Sequence, residues 1–283
     1  PGDYTLTVTD LNGCTDVDNF EITEPDPIVI TEIISDNSGY GVTCNGYSDA
    51  SILTDSGNDA NVVGGTGVYT YAWTVTGTTD IISTEQNLID IAAGLYTLTV
   101  TDQNGCTEIE NYEITEPDNP IAINAVESDE NGWSMSCFGD QDGFINTEPT
   151  GGTGGYTYAW TVTGTTDIIS TEQNLTAMGP GDYTLTVTDA NGCEINEDFE
   201  ITEPPVLELT LLPSDENGYG ITCFEANNGS INTNVLGGNG SYTYAWAVTG
   251  TTDIISTDDS LSALEPGDYT LTVTDLNGCT DVD

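Results

Sequence analysis

One stretch recurs four times and constrains the chain more than any other: Tyr-Thr-Leu-Thr-Val-Thr-Asp-x-Asn-Gly-Cys, at residues 4–14, 96–106, 183–193 and 269–279. Tyr183, Leu185 and Val187 alternate with Thr184, Thr186 and Thr188, so a period of two puts the apolar side chains on one face and the threonines on the other. That is the pattern of a half-buried β-strand. The Asn-Gly pair that follows supplies the positive φ angles of a tight hairpin turn, so a second strand is expected to return along the first. A cysteine follows each turn at the same place.

Successive turn cysteines are 92, 87 and 86 residues apart. The longest interval carries about six extra residues at 55–63, and one extra residue sits in the junction at 118–120. The repeating unit is therefore one small β-domain. Residues 1–18 recur as residues 266–283, so a period of 265 residues regenerates the sequence. The chain reads as a window on a longer array, with residues 1–26 the end of an upstream repeat, 27–118 and 119–204 two whole repeats, and 205–283 a third lacking its last strand. The absence of an initiating Met, a signal peptide or a long apolar span then carries no information about destination.

In the middle repeat, residues 121–126 and 144–147 are expected strands, with a short strand at 133–137 between turns at 128–132 and 139–143. Glycines at 151–155 form a flexible bend into the strongest core strand, where Tyr156, Tyr158, Trp160 and Val162 share a face. One or two short strands fall in 166–175, then the recurrent strand, then a closing strand at 194–201. About seven short strands, one central Trp and no helical period predict an all-β chain of tandem immunoglobulin-like β-sandwich repeats. Proline-bearing junctions between them predict an elongated rod.

The chain has 48 Asp and Glu and no Lys, Arg or His. No side-chain ion pair can form, so the charge is held by water and counter-ions. Nucleic acid and anionic membrane are excluded as partners on charge. Without His or Lys there is no side chain that ordinarily titrates near neutrality and no amine for a Schiff base, and among so many acids chance carboxylate pairs carry no catalytic signal. The chain is read as no enzyme. Lys-Asn isopeptide cross-links are excluded, leaving disulfides as the covalent brace.

Seven cysteines at repeated positions point to an oxidising, extracytoplasmic compartment. Two pairing registers remain open. One is within repeats: Cys44 with Cys106, Cys137 with Cys193, Cys223 with Cys279, leaving Cys14 to pair outside the window. The other crosses the junctions: Cys14 with Cys44, Cys106 with Cys137, Cys193 with Cys223. The first is favoured, because a small domain gains most from closing its own longer loop.

Calcium is the one cofactor to consider, since oxygen-only clusters at a domain joint suit it. Asp129, Glu130, Asp140 and Asp142 are its candidate ligands, Asp140-x-Asp142-Gly143 resembling the start of a calcium loop. The same places in other repeats lose the carboxylates, and a diffuse counter-ion cloud is the plainer reading. Trp73, Trp160 and Trp246 sit where a sandwich buries its Trp, so they are core rather than sugar platforms, whereas Trp133, aligned with Tyr40 and Tyr219, is half exposed.

Gly-Gly-Thr-Gly-x-Tyr-Thr-Tyr-Ala-Trp at Gly64 and Gly151, the recurrent strand and turn, Cys-Phe-Gly-Asp-Gln-Asp-Gly at Cys137 and the Ile-Thr-Glu-Pro junctions resemble the SprB repeat of Bacteroidetes gliding-motility and cell-surface adhesins. The segment 164–174 is similar to the PKD module, a related extracellular sandwich. The resemblance implies export by the type IX route, display at the cell surface on the outer membrane or an appendage, and a structural stalk or filament for gliding or attachment. A polymerising fibre or surface-layer component, or a glycan-binding array, are the alternatives. Partners are then neighbouring repeats, other copies in a fibre, and a glycan or abiotic surface met by regions outside the window, with no direct membrane contact. Asp259-Ser260-Leu261 resembles an O-glycosylation acceptor of that phylum, which makes Ser260 a candidate.

Overall fold

A computed structural model describes residues 1–55, 57 and 61–283, and its described residues contain strands and turns but no helix. The extra residues expected at 55–63 fall partly outside the described residues. The chain separates into two compact units. The first holds residues 1–120, 151–154 and 189–193, and the second holds the remainder.

The first unit opens with a hairpin of β1 (Gly2–Thr9) and β2 (Thr15–Ile22). Next come β3 (Val29–Thr31), β4 (Ile33–Ile34), β5 (Ala50–Leu53), β6 (Asn61–Val63), β7 (Thr70–Val75), β8 (Ile81–Ser83), β9 (Leu88–Ile91), β10 (Gly94–Thr101) and β11 (Thr107–Ile114). They pair as a four-strand sheet β11-β10-β7-β8, a three-strand sheet β4-β5-β9 and the pair β3-β6. The second unit holds β12 (Ala122–Glu127), β13 (Gly143–Thr150), β14 (Thr157–Val162), β15 (Ile168–Ser170), β16 (Leu175–Met178), β17 (Gly181–Thr188) and β18 (Glu194–Ile201). It continues with β19 (Glu208–Pro213), β20 (Gly229–Leu236), β21 (Thr243–Val248), β22 (Ile254–Ser256), β23 (Leu261–Leu264), β24 (Tyr269–Thr274) and β25 (Thr280–Val282). Here the same sheets recur twice, as β12-β13-β16 with β15-β14-β17-β18 and as β19-β20-β23 with β22-β21-β24-β25.

Each four-strand sheet is centred on the Trp strand and the recurrent strand, with Trp73 opposite Leu98, Trp160 opposite Leu185 and Trp246 opposite Leu271. All three Trp side chains are fully buried, and the expected alternation holds: Tyr183, Leu185 and Val187 are buried while the threonines between them are half-buried. In β1 the same residues stay exposed, because no Trp strand lies beside that hairpin. The core of the first unit joins Ile52, Leu88 and Ile91 from one sheet to Trp73, Leu98, Val100 and Tyr112 from the other, which makes an immunoglobulin-like sandwich. Each indole nitrogen is satisfied inside the core. Nε1 donates to Glu85 O at 3.0 Å, Glu172 O at 3.1 Å and Asp258 O at 3.0 Å in turn.

Two expectations change. Residues 133–137 form no strand, because their amides are taken by other segments, as where Met135 N donates to Thr202 O. The glycine bend is held by specific contacts. Gly151 has φ 77°, and a Cβ there would lie 2.0 Å from Pro120 O, while Gly152 N donates to Asn119 O at 2.9 Å. Only glycine fits, and the bend is pinned to the junction.

The buried Trp of each sandwich sets its stability. Trp160→Ala is expected to lower the unfolding free energy by about 3–5 kcal/mol, measured by urea denaturation followed through circular dichroism.

Candidate functional site: a disulfide clasp

The site with the most built chemistry grows from the turn after the recurrent strand. Asp102 is buried although it is a carboxylate. Its Oδ1 accepts from the amides of Asn104 and Cys106, and its Oδ2 from the amide and hydroxyl of Thr66. Asp189 and Asp275 repeat the pattern: Oδ1 takes the amides two and four residues on, and Oδ2 takes Thr153 N or Asn239 N. One carboxylate thus shapes the turn and ties it to the glycine bend. Burial opposes ionisation of Asp102 and Asp189, but the amides aimed at each carboxylate, joined at Asp102 by the Thr66 hydroxyl, outweigh it, so both lie below the usual carboxylate range.

The turn itself differs from the expected Asn-Gly type. Only the glycine is left-handed, with Gly192 at φ 85°, and the asparagine is not. A three-residue loop closes through Asp189 N to Cys193 O and Gly192 N to Asp189 O. The asparagine side chain makes contacts of its own.

That side chain enters a second loop. In the first unit, residues 36–44 turn tightly, with Ser38 at φ 57°, Gly39 at φ 93° and Asn37 N donating to Tyr40 O at 2.7 Å. Asn191 Nδ2 donates to Asn37 O at 3.0 Å and Thr43 O at 3.1 Å, and Ser38 Oγ donates to Asn191 Oδ1 at 2.7 Å. Beside them Cys193 is bonded to Cys44, their Cα atoms 5.8 Å apart. The second unit repeats the arrangement with other residues. Asn277 Nδ2 donates to Glu130 O and Ser136 O, Asn131 Nδ2 donates to Asn277 Oδ1 at 2.6 Å, and Cys279 is bonded to Cys137. An amide that spends both donor and acceptor on the opposite loop, next to a disulfide, is a two-part clasp.

These pairs correct the expected register. Cys44 joins Cys193 and not Cys106, Cys137 joins Cys279 and not Cys193, and Cys223 does not join Cys279. Cys14, Cys106 and Cys223 are free thiols and exposed, so none of the junction-crossing pairs forms either. The reason is the length of β11. Val42 N donates to Thr115 O and Gly46 N to Glu116 Oε2, so the Cys44 loop lies at the C-terminal end of that strand. Cys106 precedes its N-terminal end. Eight extended residues separate the ends by roughly 27 Å, whereas a disulfide needs Cα atoms within about 7 Å. Cys44 is left to a turn from further along the chain.

The four candidate calcium ligands do not converge. Asp129 Oδ1 accepts from Gly132 N, and both Asp140 and Asp142 accept from the Ser136 hydroxyl. Glu130 contributes its backbone carbonyl to the clasp. The described residues contain no group of three His, Cys, Asp or Glu side chains arranged to hold an ion. Ser260 is half-buried, its hydroxyl donating to Asp259 Oδ1 at 3.2 Å, and Trp133 is half-buried as expected.

Comparison with known proteins follows the same repeats. Residues 134–165 and 221–248 match the SprB repeat, and each match runs from the loop that ends at Cys137 or Cys223 through the Trp strand. No curated protein sequence matches the chain. Among solved structures, similar ones include the N-terminal eight Ig domains of Down Syndrome Cell Adhesion Molecule (TM-score 0.38, 11% identity, 100% of this chain and 42% of that one). The protocadherin GammaB4 extracellular domain gives a TM-score of 0.35 at 13% identity, over 99% of this chain and 58% of that one. A Ca2+-stabilized adhesin with which an Antarctic bacterium binds ice gives 0.33 at 15% identity, over 99% and 79%. This chain spans less than half of the first of these.

Two outcomes check the clasp. Peptide mapping without reduction is expected to recover Cys44–Cys193 and Cys137–Cys279, and reduction is expected to lower the melting temperature. In the loop-entropy model, closing loops of 149 and 142 residues is worth about 5 kcal/mol each. For Asp102 and Asp189, folded values below the unfolded ones mean that their stabilisation is complete above the unfolded range and is lost as pH falls through the folded values. In about 1 M salt, which screens the general repulsion, melting should hold down to about pH 5 and fall below about pH 4. Asp189→Asn should lower the neutral plateau and flatten the acid limb.

Proposed function

We propose that this chain is the load-bearing repeat region of a large secreted adhesin, displayed outside the cell, and that its own role is structural rather than catalytic. The match to the SprB repeat and the two disulfides, which need an oxidising compartment, support the extracellular placement. In this reading the repeats form a rod-like stalk that holds an adhesive or motile part of the whole protein away from the cell, as in gliding or attachment, after export by the type IX route. Neighbouring repeats are its partners, and glycan or abiotic surfaces are met elsewhere in the whole protein. The 48 carboxylates gather mono- and divalent cations as a screening atmosphere.

The observation that carries the reading is the clasp, because each disulfide spans well over a hundred residues, so that with both closed the covalent path from end to end runs through residues 1–44, 137–193 and 279–283 and leaves residues 45–136 and 194–278 out of the load. Trp73, Trp160 and Trp246 offer a glycan-binding array no platform, since they have no exposed surface.

The test has two parts. Antibody to this chain is expected to label intact producing cells, and labelling that requires permeabilisation would defeat the reading. In single-molecule pulling, the oxidised chain should stop near 350 Å, since the shortest covalent path through both disulfides holds about a hundred residues. After reduction it should extend to about 950 Å. Equal extension in both states would remove the load-bearing role.

A further inference from the structure

Three cysteines lie outside the disulfides, and each sits in one half of a clasp whose complete form the chain shows twice. Cys223 closes the loop 215–223, which is shaped like its filled counterparts. Asn217 has φ 58° and Gly218 φ 93°, and Glu216 N donates to Tyr219 O at 2.6 Å. Gly218 N donates to Asp215 Oδ1 at 2.5 Å, as Gly39 N does to Asp36 Oδ1 at 2.7 Å. The carbonyls of Glu216 and Thr222 occupy the places of Glu130 and Ser136, which receive Asn277. Cys44 is buried and Cys137 half-buried under a turn, whereas Cys223 is exposed.

The other half is equally preformed. At residues 10–14 Asp10 Oδ1 accepts from Asn12 N and Cys14 N, both at 2.8 Å, and Asp10 N donates to Cys14 O at 2.9 Å. Its sequence, Asp-Leu-Asn-Gly-Cys, is identical to that of 275–279, the turn that fills the loop at 129–137. The turn at 102–106 has the same hydrogen bonds, with Asn104 and Cys106 exposed where Asn191 is half-buried and Cys193 buried.

We propose that the loop 215–223 is a docking site for the Asp-x-Asn-Gly-Cys turn of a further repeat of this kind, sealed by a disulfide between Cys223 and the turn cysteine. The turns at 10–14 and 102–106 are ligands for further loops of the same type. This rests on reading the chain as part of a repeat stalk, and it makes the disulfides a ladder in which every repeat both offers a turn and receives one. Sealing forms one S–S bond as two thiols give up two protons and two electrons to a small disulfide oxidant such as glutathione disulfide, which leaves as two thiols.

The experiment extends the full chain by its own residues 19–118 after residue 283, which continues the period and places a copy of the 102–106 turn beyond the third repeat. After refolding with glutathione disulfide, peptide mapping should join Cys223 to the appended copy of Cys106, alongside Cys44–Cys193 and Cys137–Cys279. Replacing the appended copy of Asn104 by Ala should slow that bond at least severalfold. Cys223 remaining open to alkylation, or bonded elsewhere, while the other two disulfides form would overturn the proposal. The unextended chain supplies a second reading should the extension misfold. At high concentration it should give covalent oligomers joined from Cys223 to Cys106 or Cys14 that vanish in Cys223→Ser, and oligomers surviving that substitution would count against it. Loss of surface labelling on cells would remove the stalk reading and leave this disulfide result standing.

Discussion

A buried carboxylate without a counter-cation organises each of these repeats. In a chain with no Lys, Arg or His, Asp102, Asp189 and Asp275 can be held only by hydrogen-bond donors, and those donors are backbone amides from two places at once. Amides from the turn shape it into a hook, and amides from the glycine bend moor that hook to the sandwich. The cost of burying the charge is met by several charge-assisted hydrogen bonds, so the carboxylate locks geometry that short glycine-rich segments would otherwise leave loose.

The hook in turn presents an asparagine and a cysteine to a loop elsewhere. Asn191 and Asn277 each satisfy three hydrogen bonds with backbone and side chains of that loop, and the disulfide makes the contact permanent. The junction glutamate takes part from the other side: Glu116 and Glu203 accept from Gly46 and Gly139, two residues after the receiving cysteines. Junction, loop and hook form one polar assembly in each unit, built almost wholly from backbone amides and small side chains.

Much of the fold was legible from short-range pattern. The alternation in 183–187, the Trp of each core strand and the closing strand at 194–201 all follow from period-two hydrophobicity, and the structure has them in those places. The candidate site was less legible. Asn-Gly reads as a turn former, and only its right-handed asparagine reveals that the side chain is wanted elsewhere. Loop entropy, which changes slowly with length, does not decide the pairing of the cysteines; the deciding quantity is the eight-residue span of β11. That span was visible in the sequence as the interval between each turn cysteine and its Ile-Thr-Glu-Pro junction. Of the four acids Asp129, Glu130, Asp140 and Asp142, two serve a single serine hydroxyl, which composition does not reveal.

By itself, then, the sequence determined the repeat, its strands, its buried Trp and its hooks, because each depends on side chains within a few residues of one another. Even the hook at 10–14 is shaped without tertiary support, its aspartate reaching only amides two and four residues away. Only the tertiary structure decided which loop each hook enters. That choice depends on where the two ends of a strand lie in space, and cysteines in equivalent chemical settings differ in nothing else.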